Sequence, residues 1–291
     1  MAPDLLSLRQ IATRSALWVA GRRTNRRSQR RIFFTGIFVI PILSRYICNK
    51  MKLARRILLI GNSTVYGHGY LDHVEEQIKE FLGGATNLLF FPFALHDRDA
   101  YAAKAKERFA AMGHALESVH ATRDPRKAIE QSDGIFIGGG NTFRLLKALQ
   151  DLELLDPVRR KIKNGAPYIG SSAGSNVAGP TIKTTKDMPI VQPRSFNSLA
   201  LVPFQISPHF QDPDPNSTHM GETQEERILQ FLEENQTPVV GIREGAWLVC
   251  ENSAVTLKGD AGARIFRPGE VPVEAKPGHN IIDLVGGPDG N

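Results

Sequence analysis

A serine between two glycines is the first feature of this sequence that could carry out chemistry. Residues 165–176 contain a short apolar strand pattern followed by Gly170-Ser-Ser-Ala-Gly174, a Gly-x-Ser-x-Gly turn whose central residue is Ser172. Glycines suit such a turn because a tight strand-to-helix connection brings backbone atoms together, where a Cβ would clash. The N–H of Ala173 would then be free to face an oxyanion. An ordinary glycine- and serine-rich loop is the alternative interpretation.

A serine nucleophile needs a base that takes its proton and an acid that orients this base. His209 follows Pro208 at the end of a strand pattern, and Glu244 follows another apolar strand pattern. Asp187 lies shortly after the serine turn. The other histidines fall in predicted loops or on polar helix faces. His209 is therefore the candidate base, and Glu244 and Asp187 are both candidate acids.

Residues 134–147 have the same architecture as the serine turn, with an apolar strand, a glycine cluster at 138–140 and a helix pattern. Consecutive glycines expose backbone N–H groups, which suits a phosphate or an oxyanion. No Gly-Lys-Ser/Thr follows, which excludes a Walker P-loop, and residues 142–147 contain no glycine, which excludes the dinucleotide-binding spacing.

Strand and helix patterns alternate from residue 56 to residue 170, which predicts parallel strands joined by helices. Residues 181–207 contain several prolines and are expected to leave the main sheet, and residues 246–285 read as short strands separated by Gly and Pro. We therefore predict a single α/β domain over residues 53–291. Its sheet should be doubly wound and mostly parallel, with helices on both faces and the serine turn at a strand end.

Composition bounds the class of protein. The 291 residues are 41% hydrophobic, which is typical of a globular chain. Cys48 and Cys250 are too few for a disulfide framework and have no metal-ligand spacing. We expect no metal, no cofactor and a reducing compartment, the cytoplasm.

The positive net charge of +6 comes from the first fifty residues, which contain nine Arg and one Lys but a single acid, Asp4. The rest of the chain has 26 basic and 29 acidic residues, so the charge does not predict a nucleic-acid surface on the folded part. We predict residues 1–52 to be a basic extension outside the fold. A mitochondrial transit peptide and an N-terminal anchor are the alternatives, although the apolar run at 32–43 is too short to span a bilayer.

Six motifs occur in the order and spacing of one known family. They are Gly138-Gly-Gly-Asn-Thr-Phe143, Gly170-Ser-Ser-Ala-Gly-Ser-Asn176, Lys186-Asp-Met-Pro-Ile-Val-Gln-Pro193, Pro208-His-Phe210, Gly221-Glu-Thr223 with Glu226-Arg-Ile228, and Arg243-Glu-Gly245. Together they resemble peptidase E, a family of serine peptidases that act as α-aspartyl dipeptidases. The resemblance covers roughly residues 53–284 and implies a fold similar to the class I glutamine amidotransferases, which is flavodoxin-like in outline.

The resemblance assigns roles to the candidate residues. It implies that Ser172 is the nucleophile of an acyl-enzyme mechanism and His209 its general base. Glu244 is the implied partner of the histidine, but the position of Asp187 has also been treated as the third member of this triad, so both remain open. The implied oxyanion donors are the N–H of Ala173 and one from Gly139 or Gly140.

The implied substrate is a dipeptide with a free N-terminal aspartate, which requires a cation for the side-chain carboxylate and an acceptor for the ammonium. The chain departs from the family here, because Gln224 replaces an Arg of the bacterial form and Arg194 replaces a usual Pro. Ser171 also replaces a bulkier residue of some members. Asn141, Arg194 and Gln224 are the candidate substrate-binding residues, and we predict that Arg194 supplies the missing cation.

Two other functions remain open from the sequence. A cyanophycinase-like exopeptidase would share the serine turn but would need a different specificity pocket. A catalytically silent binding protein would normally have lost Ser172 or His209, and both are present. We expect no nucleic-acid or membrane partner for the folded domain, and the sequence does not predict an oligomeric state.

Overall fold

The computed structural model of the protein describes residues 55–218, 220–251 and 253–286. The predicted extension, residues 1–52, lies outside the described residues, as do the transit-peptide and anchor alternatives for it. The described residues belong to one compact unit. Within the described residues, no helix combines the length and the apolar character needed to cross a membrane.

The described part of the chain alternates strands and helices in its first half and is rich in strands towards its end. The strands are β1 (Ile57–Ile60), β2 (Asn87–Phe91), β3 (Ala115–Ser118), β4 (Gly134–Ile137), β5 (Tyr168–Ser171), β6 (Gln205–Ser207), β7 (Val239–Ile242), β8 (Ala246–Glu251), β9 (Ala254–Gly259), β10 (Ala263–Phe266) and β11 (Val273–Ala275). The α-helices are α1 (Glu75–Leu82), α2 (Arg98–Ala111), α3 (Pro125–Gln131), α4 (Thr142–Asp151), α5 (Leu155–Lys163), α6 (Ala173–Asn176), α7 (Gln224–Glu234) and α8 (Ile282–Val285).

The larger sheet has seven strands in the order β3-β2-β4-β5-β1-β8-β9. The first five are parallel, whereas β8 and β9 pair antiparallel. Successive residues of β1 alternate between two apolar cores, with Ile57 and Leu59 in one and Leu58 and Ile60 in the other. Because side chains of a strand point alternately to opposite faces, this alternation shows a sheet that is covered on both faces. The predicted α/β class with a mostly parallel sheet is confirmed.

Four further strands form a second sheet in the order β11-β10-β7-β6. The sequence predicted only one sheet. In the second sheet, only β6 and β7 are parallel. The chain passes from β7 in the second sheet to β8 in the first through residues 243–245. A Cβ on Gly61, just after β1, would lie 2.9 Å from the carbonyl oxygen of Arg243. The end of β1 therefore packs closely against residues 243–245, which connect the two sheets. The ends of β1 and β7 thus lie next to each other.

The stretch predicted to leave the main sheet, residues 181–207, ends in β6, a strand of the second sheet. Its part before β6 is held against α4 and α5 by side chains of these helices. The Gln150 side chain accepts a hydrogen bond from the N–H of Arg194 and donates one to the carbonyl of Ser195. Arg159 donates to the carbonyl of Leu199. These contacts hold the excursion against the two helices.

Candidate active site

The serine turn joins β5 directly to α6, and its backbone has the strained geometry of a nucleophile elbow. Ser172 has φ 51° and ψ −108°, which a residue with a side chain rarely adopts. A Cβ on Gly170 would lie 2.5 Å from the carbonyl oxygen of Gly174, and one on Gly174 would lie 2.0 Å from that of Ile137. Only glycine fits at these two positions, so the sequence pattern has a direct steric cause.

Ser172 lies within hydrogen-bonding distance of the predicted base. Its Oγ is 3.0 Å from Nε2 of His209, and the Nδ1 of the same ring is 2.8 Å from Oε1 of Glu244. With the Nδ1–H donating to the carboxylate, Nε2 is left as the acceptor for the serine hydroxyl. The three side chains therefore form a continuous chain that can move a proton away from the serine.

His209 is brought to the serine by the second sheet. The N–H of Phe210 donates to the carbonyl of Ile242 at the end of β7, which places His209 beside Glu244 two residues further on. His209 has φ 52°, in the left-handed region. The N–H of Ser172 donates to the carbonyl of Ile60 in β1, so the nucleophile is fixed to the first sheet. The site thus lies where the two sheets meet.

Backbone donors surround the serine oxygen. The N–H of Ala173 stands at the first position of α6, where helix geometry supplies no acceptor. Gly139 packs against the serine, since a Cβ on it would lie 3.1 Å from the Cβ of Ser172. Gly140 has φ 131°, and a Cβ there would lie 2.7 Å from the carbonyl oxygen of Ala94. Gly139 thus borders the serine, and Gly140 lines the same cavity, where their backbone would suit an oxyanion.

Asp187 occupies a different place from Glu244. Its Oδ2 accepts a hydrogen bond of 2.7 Å from the N–H of Thr142 at the start of α4. Among the described hydrogen bonds, the carboxylate that contacts His209 is that of Glu244. Asp187 nevertheless lines the same cavity as the serine. The geometry separates the two candidate acids, with Glu244 behind the histidine and Asp187 facing the space in front of the serine.

A cavity of about 820 Å³ opens in front of Ser172 and His209. Its walls include Asp187 and the glycine pair described above. Side chains that the sequence did not single out form much of the remaining wall. These are Tyr70, His96, Asp97, Tyr101 and Lys104.

The three predicted substrate-binding residues lie elsewhere. Asn141 caps α4, because its side chain accepts from the N–H of Arg144 and donates to the carbonyl of Met188. Arg194 is exposed, and its Nε lies 3.7 Å from the carboxylate of Asp151. Gln224 is outside the cavity lining as well.

The predicted position of Arg194 beside the substrate is therefore not what the structure shows. The hydrogen bond from its own N–H to Gln150 holds this part of the excursion on α4, away from the cavity. Gln224, at the start of α7, accepts hydrogen bonds from Lys186 and from the N–H of Gln211. Both residues stabilise the frame of the site instead of lining it.

Lys186 was a functional residue that sequence reasoning missed, although it lies in one of the six motifs. Its Nζ donates to the carbonyl of His209 at 2.7 Å and to Oε1 of Gln224 at 3.0 Å. Desolvation lowers the pKa of the Lys186 ammonium to about 8, against the opposing influence of the carboxylates of Asp187 and Glu244. The lysine thus holds the strained backbone of the histidine in place.

Arg243 is a second residue that was not predicted from the sequence and that holds the catalytic segments in place. It pairs with Asp212, three residues after His209, and with Glu274 of β11. These hydrogen-bonded carboxylates raise the pKa of the Arg243 guanidinium. Because Arg243 directly precedes Glu244, the ion pairs connect the segments that carry the base and the acid.

The cavity residues of α2 could have been found by helical spacing. Tyr101, Ala105 and Phe109 are buried at intervals of four residues, so Lys104 lies beside Tyr101 on the rim of the buried face. No group of three or more His, Cys, Asp or Glu side chains that could hold a metal ion occurs among the described residues. What the described site offers is acyl-transfer chemistry with a serine, a histidine and backbone donors.

Comparisons with known proteins agree with this geometry. The family model described as Peptidase family S51 matches residues 57–258. "Peptidase E" of Streptomyces coelicolor is 47% identical over 229 residues, which cover 79% of this chain and 94% of that protein. A Drosophila melanogaster protein named "Probable alpha-aspartyl dipeptidase" is 43% identical over 220 residues, which cover 75% of this chain and 92% of that protein.

A solved structure supports the fold. The crystal structure of a peptidase from an acI-B1 Actinobacterium matches with a TM-score of 0.61 at 17% identity, covering 79% of this chain and 97% of that one. The family model and the curated relatives show that the protein is a peptidase. The chain belongs to peptidase family S51.

Proposed function

We propose that this enzyme hydrolyses dipeptides with a free N-terminal aspartate, through an acyl-enzyme on Ser172. That it is a serine dipeptidase follows from the family and from the named relatives. The aspartate preference is supported by the relative named as an alpha-aspartyl dipeptidase. The observation that carries the mechanism is the continuous hydrogen-bonded chain from Ser172 through His209 to Glu244.

In the first half of the reaction, His209 takes the proton of the Ser172 hydroxyl as the oxygen attacks the peptide carbonyl. The negative charge that develops on the carbonyl oxygen is stabilised by the N–H of Ala173 and by one from Gly139 or Gly140. Collapse of this intermediate breaks the C–N bond, and the protonated His209 gives its proton to the leaving amine. The aspartyl group is then esterified to Ser172.

In the second half, water replaces the departed amine. His209 removes a proton from this water, which attacks the ester, and the proton returns to the Ser172 oxygen as free aspartate leaves. Glu244 orients the imidazole and stabilises its positive charge in both halves. We assign the substrate's ammonium to Asp187, whose carboxylate lines the cavity in front of the serine.

A panel of Xaa-Leu dipeptides tests this proposal, with free and acetylated N-termini. We expect Asp-Leu to be hydrolysed with the highest kcat/KM and the acetylated form to be a poor substrate, since Asp187 would lose the charge it pairs with. Ser172→Ala should be inactive towards all of them. Faster hydrolysis of a neutral dipeptide than of Asp-Leu would contradict the aspartate preference, and an active Ser172→Ala would contradict the mechanism.

The cytoplasm is the compartment we propose for this activity. Two cysteines are too few for a disulfide framework, which is typical of proteins from reducing compartments. Fractionation of cells that express the full chain, with the dipeptidase assay applied to each fraction, tests this. Activity recovered with mitochondria would instead support the transit-peptide interpretation of residues 1–52.

A further inference from the structure

An enzyme that binds an aspartyl side chain must supply a positive charge inside its substrate cavity. A carboxylate that leaves water without a partner loses a large part of its solvation energy. Arg194, the residue predicted from the sequence to supply this charge, lies outside the described cavity lining, as does Gln224, the neutral residue that replaces the family's Arg. The charge must therefore come from another side chain of the described site.

Lys104 of α2 meets this requirement. It lines the cavity together with Ser172 and His209. Among the described salt bridges, none involves Lys104. The carboxylate of Asp97, which also lines the cavity, accepts a hydrogen bond from the N–H of Ala100 and forms no described salt bridge with Lys104. The ammonium of Lys104 is thus available for an anion that enters the cavity.

An aromatic wall joins Lys104 to the serine. The Lys104 Nζ lies 4.7 Å from the centre of the Tyr70 ring, and this ring packs edge-on against Tyr101 at 6.3 Å. The Tyr101 hydroxyl lies against the glycine strip, since a Cβ on Gly138 would be 2.3 Å from it. Gly139 in turn contacts Ser172. The cation therefore stands on the same continuous wall as the oxyanion donors.

The cation–π contact with Tyr70 also fixes the direction of the ammonium. A lysine over an aromatic ring keeps its charge and is attracted to the electron-rich face of the ring. Besides Lys104 and the proposed base His209, the described lining has one more basic side chain, that of His96. An imidazole carries a positive charge only when protonated, whereas a lysine side chain is ordinarily charged throughout the neutral range. Lys104 is thus better suited to a substrate anion at neutral pH.

Resting on the proposed function, we propose that Lys104 binds the side-chain carboxylate of the substrate's N-terminal aspartate. Lys104 is then the residue that distinguishes Asp-Xaa from neutral dipeptides. Asp187 would then bind the ammonium of the aspartyl residue, and Lys104 would bind its side-chain carboxylate. Binding of these charges orients the scissile carbonyl towards Ser172.

The test compares Lys104→Met with Lys106→Met, a matched change on the same helix at an exposed residue outside the cavity lining. The substrates are Asp-Leu and its neutral isostere Asn-Leu. We expect Lys104→Met to lower kcat/KM for Asp-Leu by about 10- to 100-fold, because a charged partner is lost at a partly solvated site, and to leave Asn-Leu nearly unchanged. Lys106→Met should match the wild type on both. Lys104→Arg, which keeps the charge, should recover part of the lost efficiency.

Asp-Leu amide separates the two carboxylates of the substrate. If Lys104 binds the aspartyl side chain, Lys104→Met lowers kcat/KM for the amide as much as for Asp-Leu. Equal losses on Asp-Leu and Asn-Leu, with no loss on the amide, would place Lys104 at the C-terminal carboxylate and overturn the proposal. Wild-type efficiency of Lys104→Met on Asp-Leu would overturn it too.

Binding to inactive protein keeps this inference separate from the catalytic proposal. Calorimetric titration of Ser172→Ala with Asp-Leu, with and without Lys104→Met, measures recognition without turnover. If the wild type fails to hydrolyse Asp-Leu, the proposed function is wrong, and the titration still decides on Lys104. A Kd for Asp-Leu that Lys104→Met raises about 10-fold or more supports the inference, and an unchanged Kd contradicts it.

Discussion

Ser172 and His209 approach each other from two sheets, and their positions are held in different ways. The serine turn follows a parallel strand of the larger sheet, and close backbone contacts of Gly170 and Gly174 define its shape. The histidine lies in a loop after the short strand β6, and 41% of its side-chain surface is exposed. Glu244, its partner, is 50% exposed.

The side chains around the histidine replace the steric constraint that the glycines provide around the serine. Lys186 donates to the carbonyl of His209, and Arg243 pairs with Asp212 beyond it. A backbone constraint leaves a glycine signature in the sequence, whereas a network of side chains leaves only ordinary polar residues. Substitutions that add atoms at the glycines should therefore disturb the surroundings of Ser172 most. Substitutions that remove the charge of Lys186 or Arg243 should disturb the position of His209 most.

The largest effect is expected from the nucleophile itself. Ser172→Ala should lower kcat by about 10⁴-fold or more, and His209→Ala should do nearly the same because the two act as one unit. Ser171→Ala is the matched control. Its buried hydroxyl has no hydrogen-bond partner within the described structure, so its removal should leave kcat within a few-fold of the wild type. An inactive Ser171→Ala with an active Ser172→Ala would contradict the register of the turn.

The two acids provide the next test. Glu244→Gln should lower kcat by about 10²- to 10⁴-fold with little change in KM, because the amide no longer stabilises the charged imidazole and can favour the wrong tautomer. Asp187→Asn should mainly raise KM, since Asp187 lines the substrate cavity and contacts Thr142 instead of His209. Steady-state kinetics on Asp-Leu separates the two. A collapse of kcat in Asp187→Asn beside a mild Glu244→Gln would reverse the assignment.

The sequence predicted well what depends on local backbone geometry. The apolar strand patterns and the glycines at strand ends predicted the α/β class with its mostly parallel sheet, which is confirmed, and the family resemblance is confirmed as well. The turn at Ser172 was visible because only glycine fits at Gly170 and Gly174.

Features that depend on long-range packing were not predictable. β6 and β7 are short, buried strands like several of the larger sheet, so no local signal showed that they belong to a second sheet. The choice between Glu244 and Asp187 depends on how the ends of two sheets meet. The position of Arg194 could not be predicted because residues 180–204 have no periodic pattern and are held by long-range contacts, among them those of Gln150 and Arg159.

Two glycine-to-alanine changes test whether steric constraint is stronger around the serine than around the histidine and its partner Glu244. Gly174→Ala places a Cβ against the carbonyl oxygen of Ile137 in β4, so we expect a loss of about 3 kcal/mol or more in the free energy of unfolding. Gly245→Ala, beside Glu244, meets no atom within 4 Å but keeps a φ of 82°, and should cost only about 1 kcal/mol. Urea unfolding measures both. Equal losses would contradict a steric constraint specific to the serine side.

The smallest expected effect concerns Lys186 and pH. Its ammonium, near the carboxylates of Asp187 and Glu244, has a pKa that desolvation lowers to about 8, whereas an unfolded chain gives lysine a pKa near 10.5. Between these values the unfolded state binds more protons, so this lysine makes stability rise with pH from about 8 to 10.5. Below pH 8 Lys186 is charged in both states, and the full cost of its partial desolvation remains.

Lys186→Met provides the reference for this effect, because groups that titrate in both proteins cancel in the difference. The free energy of unfolding of the wild type minus that of Lys186→Met should increase between pH 7.5 and 10 by about 1 kcal/mol, a small value because the lysine is partly exposed and solvent screens its charge. Urea unfolding at several pH values measures this difference. The variant should also lose a few-fold in kcat at pH 7.5, since the carbonyl of His209 loses its donor. A difference that falls as pH rises would show that folding raises the pKa of Lys186 instead of lowering it. An unchanged kcat would show that His209 is held without Lys186.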